Sequence, residues 1–533
     1  MIENTRVFRT AFIIIFTCIF LVIFFQNLLL SSSFELLSFR SIDDYAFQSV
    51  LRRYHERMLD LRFDSLFKLY DYGYGWIFWI INIIITFPFY IISLFYDESL
   101  LIVVPRLISQ IFTFATAFIL FKILKIYSKD EYIPYFGALL YLSFPFFAYT
   151  SMSFRTIAQI NFFSALSFYY TVCPKEFSRF YIKRVSIVFA AAVGTKLSAA
   201  LLSPLLVFII FDRAGYKFKK EELLVYLYGL KIFLLYLVLF MNPSFFVAIF
   251  EPELFTEHAA VIMYYANHIT TDYGGTSSLY SKIVQSYSTS YLSFPVLIIT
   301  LFLLLFSALK KEKYQLHYIY ILLFLLFSSI FLANHVKLGT SYITNYFSAY
   351  SFLLLVSLAF FKTFSTKIKI SLLSVLIILN ISMNYSHIKS GYLEHYNTVN
   401  SDRYALMKKS QYELKNIIPL NSDMNILYDH RGPMLYSDFR EGVYARALFD
   451  NISEIQKTEN KIFQIIILNK NSLAFSTEER FNRLINNADD SIAKRWTEDR
   501  RIVNDLINHN KFFDILYTKI YDKNNVVVFR IKR

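Results

Sequence analysis

Apolar residues in this chain fall into long blocks joined mostly by short polar connections. A hydrocarbon core of ~30 Å takes about 20 apolar residues in a helix. Blocks that reach or approach that length occupy 11–30, 76–96, 100–124, 132–150, 157–172, 185–211, 223–241, 291–309, 318–332, 342–361 and 370–383. The pattern predicts a mainly α, polytopic membrane protein. Two connections, 31–75 and 242–290, are much longer than the rest. The block at 185–211 contains Lys196 and Pro204 and reads either as one span or as a short hairpin. The expected total is 11–13 transmembrane helices.

From about residue 386 the blocks stop, and the pattern becomes that of a soluble α/β domain. Short runs rich in Ile, Val and Tyr at 425–428, 463–468, 515–518 and 526–531 predict strands. Stretches 403–415 and 491–507 predict helices, and Lys523-Asn524-Asn525 between the last two runs predicts a hairpin. The chain therefore divides into a transmembrane domain, 1–385, and a C-terminal domain, 386–533. No internal repeat is visible.

Composition agrees. Of 533 residues, 56% are hydrophobic and 18% charged, too apolar for an ordinary soluble protein. The net charge of +14 does not indicate nucleic-acid binding, because basic residues cluster in short connections such as 310–313 and 362–369. That is the positive-inside bias of membrane proteins. Arg6 and Arg9 before the first block favour a cytoplasmic N-terminus. The block lacks a small-x-small cleavage site and reads as a retained anchor. An odd number of spans then places 31–75, 242–290 and the C-terminal domain outside the cytoplasm. Strict alternation would also put the basic connections 122–129 and 174–184 outside, against the bias, so the interior topology stays open. Cys18 and Cys173 lie on different elements and form neither a disulfide framework nor a metal set.

Candidate chemistry begins at Ser41-Ile42-Asp43-Asp44. Downstream, Ala46, Phe47, Val50, Leu51, Tyr54 and Met58 recur at helical spacing, with Arg52, Arg53, Glu56 and Arg57 between them. This predicts an amphipathic helix suited to the membrane surface. Ser41 and Asp44 can form a capping box at its start. Alternatively, Asp43 can act as a base, since a carboxylate beside an attacking hydroxyl takes its proton. Spacing alone leaves both readings open. Asp71-Tyr72-Gly73-Tyr74-Gly75-Trp76 opens the second block, where the glycines either break a helix or let backbone approach a ligand. Pro105-Arg106-Leu107 opens the third, and Gly194-Thr195-Lys196 lies inside the sixth. A lysine at membrane depth is costly and has a partner or a role. Loop 242–290 carries His258 and His268, whose spacing suits no compact metal site.

Taken in order, these motifs resemble those of GT-C membrane glycosyltransferases, the superfamily of protein O-mannosyltransferases and lipid A aminoarabinose transferases. The resemblance covers 1–385 in architecture. It implies that Asp43 is the catalytic acid-pair member that takes the acceptor proton, with Asp44 where the family more often has Glu. It implies donor contacts from Tyr74, Arg106, Lys196, His258 and His268. Many relatives carry an Arg-Tyr pair near the 342–361 block; this chain has Asn345-Tyr346, with Lys337 upstream as a substitute. The implied activity is transfer of a sugar from a polyprenyl-phosphate donor to a glycan, lipid or protein acceptor. The site would face away from the cytoplasm in a bacterial inner membrane, with no metal or other cofactor and no nucleic-acid partner. Two other classes compete. O-antigen ligases and polymerases have many spans and a large external loop, but that loop comes late and no acid pair follows the first span. Lipid-linked sugar flippases and transporters commonly show internal repeats, and none is seen here.

Overall fold

The structure, a computed structural model, describes residues 2–30, 42–61, most of 75–241, isolated positions between 305 and 382, and most of 402–532. It divides into two compact units: 1–32, 50–270 and 276–390 make the first, and 33–49, 271–275 and 391–533 the second.

The first unit is helical. Its elements are α1 Ile2–Leu30, the later part of α2 Ile42–Leu59, α3 Trp76–Ser93, α4 Leu100–Tyr127, α5 Ile133–Leu142, α6 Ile157–Val172 and α7 Arg179–Thr195. A 3-10 helix, Leu197–Leu202, then leads into α8 Ser203–Arg213 and α9 Lys220–Met241. Among the described residues, four helical stretches are long and apolar enough to cross a membrane: Phe8–Leu28, Trp76–Ser93, Leu100–Tyr127 and Lys220–Met241.

Side-chain contacts give each helix a direction. Phe12 meets Phe121, Phe16 and Phe20 meet Phe114, and Asn27 Nδ2 donates to Gln110 Oε1 at 3.0 Å. Rising numbers on α1 meet falling numbers on α4, so the two are antiparallel. Phe8 packs on Tyr132 and Tyr135 at one end, and Asn27 Nδ2 donates to the Ser151 carbonyl at the other, so α5 starts beside the beginning of α1 and Ser151 lies beside its end. Helix α6 runs with α4, since Phe112 meets Phe162 while Lys122 lies over Tyr169. Helix α7 starts where α6 stops, with Tyr181 Oη donating to the Thr171 carbonyl at 2.7 Å. It stops at Lys196, whose backbone is extended at φ −159°, ψ 132°. The chain then returns through the 3-10 helix and α8 until Arg213 Nη1 donates to the Val172 carbonyl at 2.9 Å. The 185–211 block is thus a hairpin with its apex at Lys196. Helix α9 runs with α7, pairing Tyr226 with Phe177 and Phe233 with Phe189.

One end of this bundle collects the start of α1 with Arg9, the end of α4 with Lys125, the start of α7 with Arg179, and the α8–α9 connection with Lys217 and Lys219. We call it the basic end, and the opposite one, where α1 and α9 finish, the loop end. Helix α3 begins at the loop end, because Gly75 N–H donates to the Thr195 carbonyl at 3.2 Å. It finishes a few residues before Leu100, the start of α4, at the same end. A single crossing by α3 would make α1 and α4 parallel. Helix α3 therefore lies across the loop end, with Ile84, Ile85, Phe89 and Phe95 exposed as in an interfacial helix. This corrects the expected span at 76–96. It also removes the charge conflict: the basic connections 122–129 and 174–184 now share an end with Arg9. Among residues 2–241 the described helices pass between the ends seven times.

The second unit contains α10 Asp402–Ile417, β1 Asn425–Asp429, β2 Tyr444–Leu448, β3 Ile465–Asn469, α11 Glu478–Ile485, α12 Asp490–His509, β4 Lys511–Phe512, β5 Ile515–Lys523 and β6 Val526–Ile531. The sheet order is β2-β1-β3-β6-β5-β4, with β1 parallel to β2 and β3 and the remaining pairs antiparallel. Side-chain alternation sorts the core. Leu427, Ile466, Leu468, Val527 and Phe529 pack with Ile502, Val503 and Leu506 of α12 on one face. Ile426, Tyr428, Ile465, Ile467, Val526 and Val528 pack with Leu414 of α10 on the other. Helices on both faces explain why β1 and β3 read as continuous apolar runs. Asn524 and Asn525, at φ 51° and 62°, form the two-residue left-handed turn that matches strand twist in a β5–β6 hairpin.

Candidate active site

The structure joins two motifs that are far apart in sequence. At the loop end the start of α3 presses against the end of α7. A Cβ on Gly75 would fall inside the carbonyl of Gly194, and one on Gly194 would lie 2.5 Å from Phe240 Cβ on α9. Three helices therefore meet without side-chain spacers. The Gly75 N–H also satisfies the Thr195 carbonyl, one of the acceptors that a helix end leaves without an intrahelical partner. Thr195 Oγ1 donates back to the Ala191 carbonyl at 2.8 Å. Lys196 follows at the hairpin apex, half-buried. It is not in mid-span, as its place inside an apolar block implied, but at the break between helices on the face from which both long connections leave.

Arg106 lies in the second turn of α4, at the same end, and is wholly buried (0% exposed). A buried guanidinium is tolerated only where polar or charged groups meet it. Below it, Gln110 bridges α4 to α1: it accepts from Asn27 and donates from Nε2 to the Phe20 carbonyl at 2.7 Å. These polar contacts hold α1 and α4 together in a layer where apolar contacts alone would not fix register.

Asp43 and Asp44 occupy the first turn of α2. Further along, Val50, Leu51 and Tyr54 are buried. The Tyr54 ring lies 5.7 Å from that of Trp79 on α3. The apolar stripe expected to face lipid is thus largely used in protein packing. His55, which the apolar periodicity passes over, proves to be the polar pin of this contact. Its Nε2 lies 2.9 Å from Thr86 Oγ1, and its ring packs 4.9 Å from Tyr90. Burial pushes its pKa down to about 4, against an opposing hydrogen bond with the Ile83 backbone. Arg52 and Glu56 pair at 3.0 Å on the outer side of α2. Ser41, Tyr74, His258, His268, Lys337 and Asn345 lie outside the described residues. Among those described, no group of three or more His, Cys, Asp or Glu residues is placed to hold a metal ion.

No family model matches the chain, and no curated protein matches its sequence. Solved structures do match. ArnT from Cupriavidus metallidurans in the apo state superposes with a TM-score of 0.57 over 98% of both chains, at 10% identity. The same protein bound to undecaprenyl phosphate gives 0.53, again over 98% of both chains, at 11% identity. The chain has the GT-C fold. Both expectations of the sequence reading at this level hold: a mainly helical membrane protein of GT-C type, and a C-terminal region containing a small sheet. The likeness is one of fold, since nine in ten aligned residues differ.

Proposed function

We propose that the chain is an integral membrane glycosyltransferase that moves a sugar from a polyprenyl-phosphate donor to a glycan, lipid or protein acceptor. The observation that carries this reading is the end-to-end fold match to a protein whose solved structure holds undecaprenyl phosphate. The basic end then faces the cytoplasm by the positive-inside bias. The loop end, with Gly75, Arg106 and Lys196, faces outward from a bacterial inner membrane.

In this reading Asp43 takes the proton of the acceptor hydroxyl as its oxygen attacks the anomeric carbon. The bond from that carbon to the donor phosphate breaks, and the phosphate leaves with the electron pair. Arg106 and Lys196 meet the developing negative charge, as fixed cations do most effectively where water is scarce. Tyr74, His258, His268 and Lys337 complete the donor contacts that the resemblance assigns. Asp44 holds the start of α2. No metal is needed where basic side chains receive the phosphate, and chelation with EDTA is expected to leave turnover unchanged. The deciding experiment is transfer from a polyprenyl-phosphate sugar in membranes containing the Asp43→Asn protein. Insertion and expression at wild-type levels with turnover lost support the reading; wild-type turnover refutes it.

A further inference from the structure

Sugar transfer uses the loop end and leaves the basic end of the bundle without a role. There the start of α7 and the α8–α9 connection make one surface. Helix α8 stops on two backbone bonds: Gly215 N–H donates to the Asp212 carbonyl and Tyr216 N–H to the Phe211 carbonyl, both at 2.9 Å. This helix ending takes a left-handed residue, here Gly215 at φ 65°. Tyr216 follows at φ 52°, a conformation uncommon for a side chain of its size. The next four residues, Lys217, Phe218, Lys219 and Lys220, are all exposed.

Aromatic rings fasten this turn to α7 and α9. The Tyr226 ring lies 5.1 Å from Phe211, 5.3 Å from Phe177 and 6.2 Å from Phe218. Tyr226 Oη donates to the Lys217 carbonyl at 3.4 Å. Two residues after Phe177, the Arg179 guanidinium lies 5.9 Å from the centre of the Tyr228 ring. Arg179 and the lysines of the turn are thus gathered around one stretch of α9, 226–228. Arg184 lies 4.0 Å over the ring of Phe180, which is 57% exposed. A guanidinium set over a ring keeps its in-plane donors for an anion. The acids of the same segments are Glu176, Glu221 and Glu222, outnumbered by Arg179, Lys183, Arg184, Lys217, Lys219 and Lys220. Farther along α9, Leu223, Leu224, Leu227 and Leu230 are exposed on one face. Cations at the end of a span, with bare leucines following them toward the bilayer centre, match both halves of an anionic lipid.

We infer that the surface formed by Arg179, Lys217 and Lys219 with the leucines of α9 binds an anionic phospholipid of the leaflet at the basic end. Basic sites at the ends of spans take such headgroups. The lipid phosphate accepts from the guanidinium and the ammonium groups, and an acyl chain covers the leucines. The inference needs only that the chain spans a membrane, so it and the transfer reaction fail separately.

The test is native mass spectrometry of the purified full-length protein, titrated with phosphatidylglycerol and, separately, with phosphatidylcholine of the same chains. Wild type should hold phosphatidylglycerol on the order of tenfold more tightly or better, the scale that a few juxtamembrane cations supply. The triple variant Arg179→Gln/Lys217→Gln/Lys219→Gln should lose that preference. Arg9→Gln/Lys122→Gln/Lys125→Gln removes the same charge from other exposed positions at the basic end and should keep it. Arg179→Lys keeps the charge but not the planar grip; it should weaken binding several-fold, and it decides if the triple variant does not fold. Glycerol 3-phosphate should not displace the lipid, since it has no chains to cover the leucines. The inference is overturned if wild type holds the two lipids equally, because the surface then serves another partner or none. It is also overturned if the control triple loses the preference as fully as the site triple, which would mean diffuse charge, if Arg179→Lys binds like wild type, or if glycerol 3-phosphate competes, which would mean a site for a soluble anion.

Discussion

At the scale of single residues, the acid pair was legible and its role was not. Asp43 and Asp44 stand in the first turn of a helix, a place that suits both an N-terminal cap and a base held near the membrane surface. Asn caps a helix as well as Asp does, so Asp43→Asn separates the two roles. Loss of turnover on the order of a hundredfold or more is expected, the usual scale for a general base. Asp44→Asn should be milder. For Lys196, replacement by Met should raise the donor concentration needed for half-maximal rate roughly tenfold to a hundredfold, since a charge-assisted contact contributes about 1.5–3 kcal/mol. An unchanged donor dependence would show that the lysine serves only the hairpin apex. His55 was invisible in the sequence, because a histidine beside an apolar stripe looks like the polar edge of that stripe. Its folded pKa of about 4 lies below the ordinary 6.5, so the unfolded chain binds the proton more readily. Stability from this group is complete above pH 6.5 and is lost as pH falls toward 4. The full difference is roughly 3 kcal/mol by linkage. Thermal unfolding from pH 7 to 4 should show a shallower fall for His55→Gln than for wild type. Parallel curves would mean that His55 does not stay neutral in the fold.

At the scale of elements, periodicity found the strands that are buried on both faces and the final hairpin with its Asn-Asn turn. It missed β2, whose Tyr-Ala-Arg-Ala-Leu has no β-branched residue and is held by pairing with β1. Hydropathy found every apolar block in the described body but could not tell a crossing helix from one lying flat, because α3 and α4 are equally apolar. Nor could it find the Gly75–Gly194 junction, which exists only once α3, α7 and α9 are assembled. That junction is testable. Gly75→Ala puts a methyl group into backbone, which cannot yield, and should cost at least the 1–3 kcal/mol typical of overpacking. Gly229→Ala would meet Ile182 Cγ1 at 2.6 Å, the movable part of a side chain, and should cost less. Melting temperatures of the two purified variants check the order; equal losses would mean that the three-helix junction can spread.

At the scale of the whole molecule, the seven passes of residues 2–241 predict which connections share a face. In a protein whose Cys18 and Cys173 are replaced by Ser, Tyr96→Cys should react with an impermeant thiol reagent in intact cells. Lys217→Cys should react only after the membrane is opened. Both side chains are exposed, so accessibility within the fold does not limit labelling. Labelling of Lys217→Cys alone in intact cells would mean an inverted orientation or a crossing α3, and protection of both would mean that α3 crosses and 185–211 is a single span.

The flat α3 and the folded-back α7–α8 pair have a joint consequence for topology mapping. Reading α3 as a span adds one crossing, and reading 185–211 as a single helix removes one. The two mistakes cancel, so a reporter fused anywhere after Arg213 reports the same compartment under either scheme. Only fusions between residues 96 and 196 distinguish them. A map built from fusions to the second long connection and beyond would be right about every later segment while misplacing the arginine that opens α4.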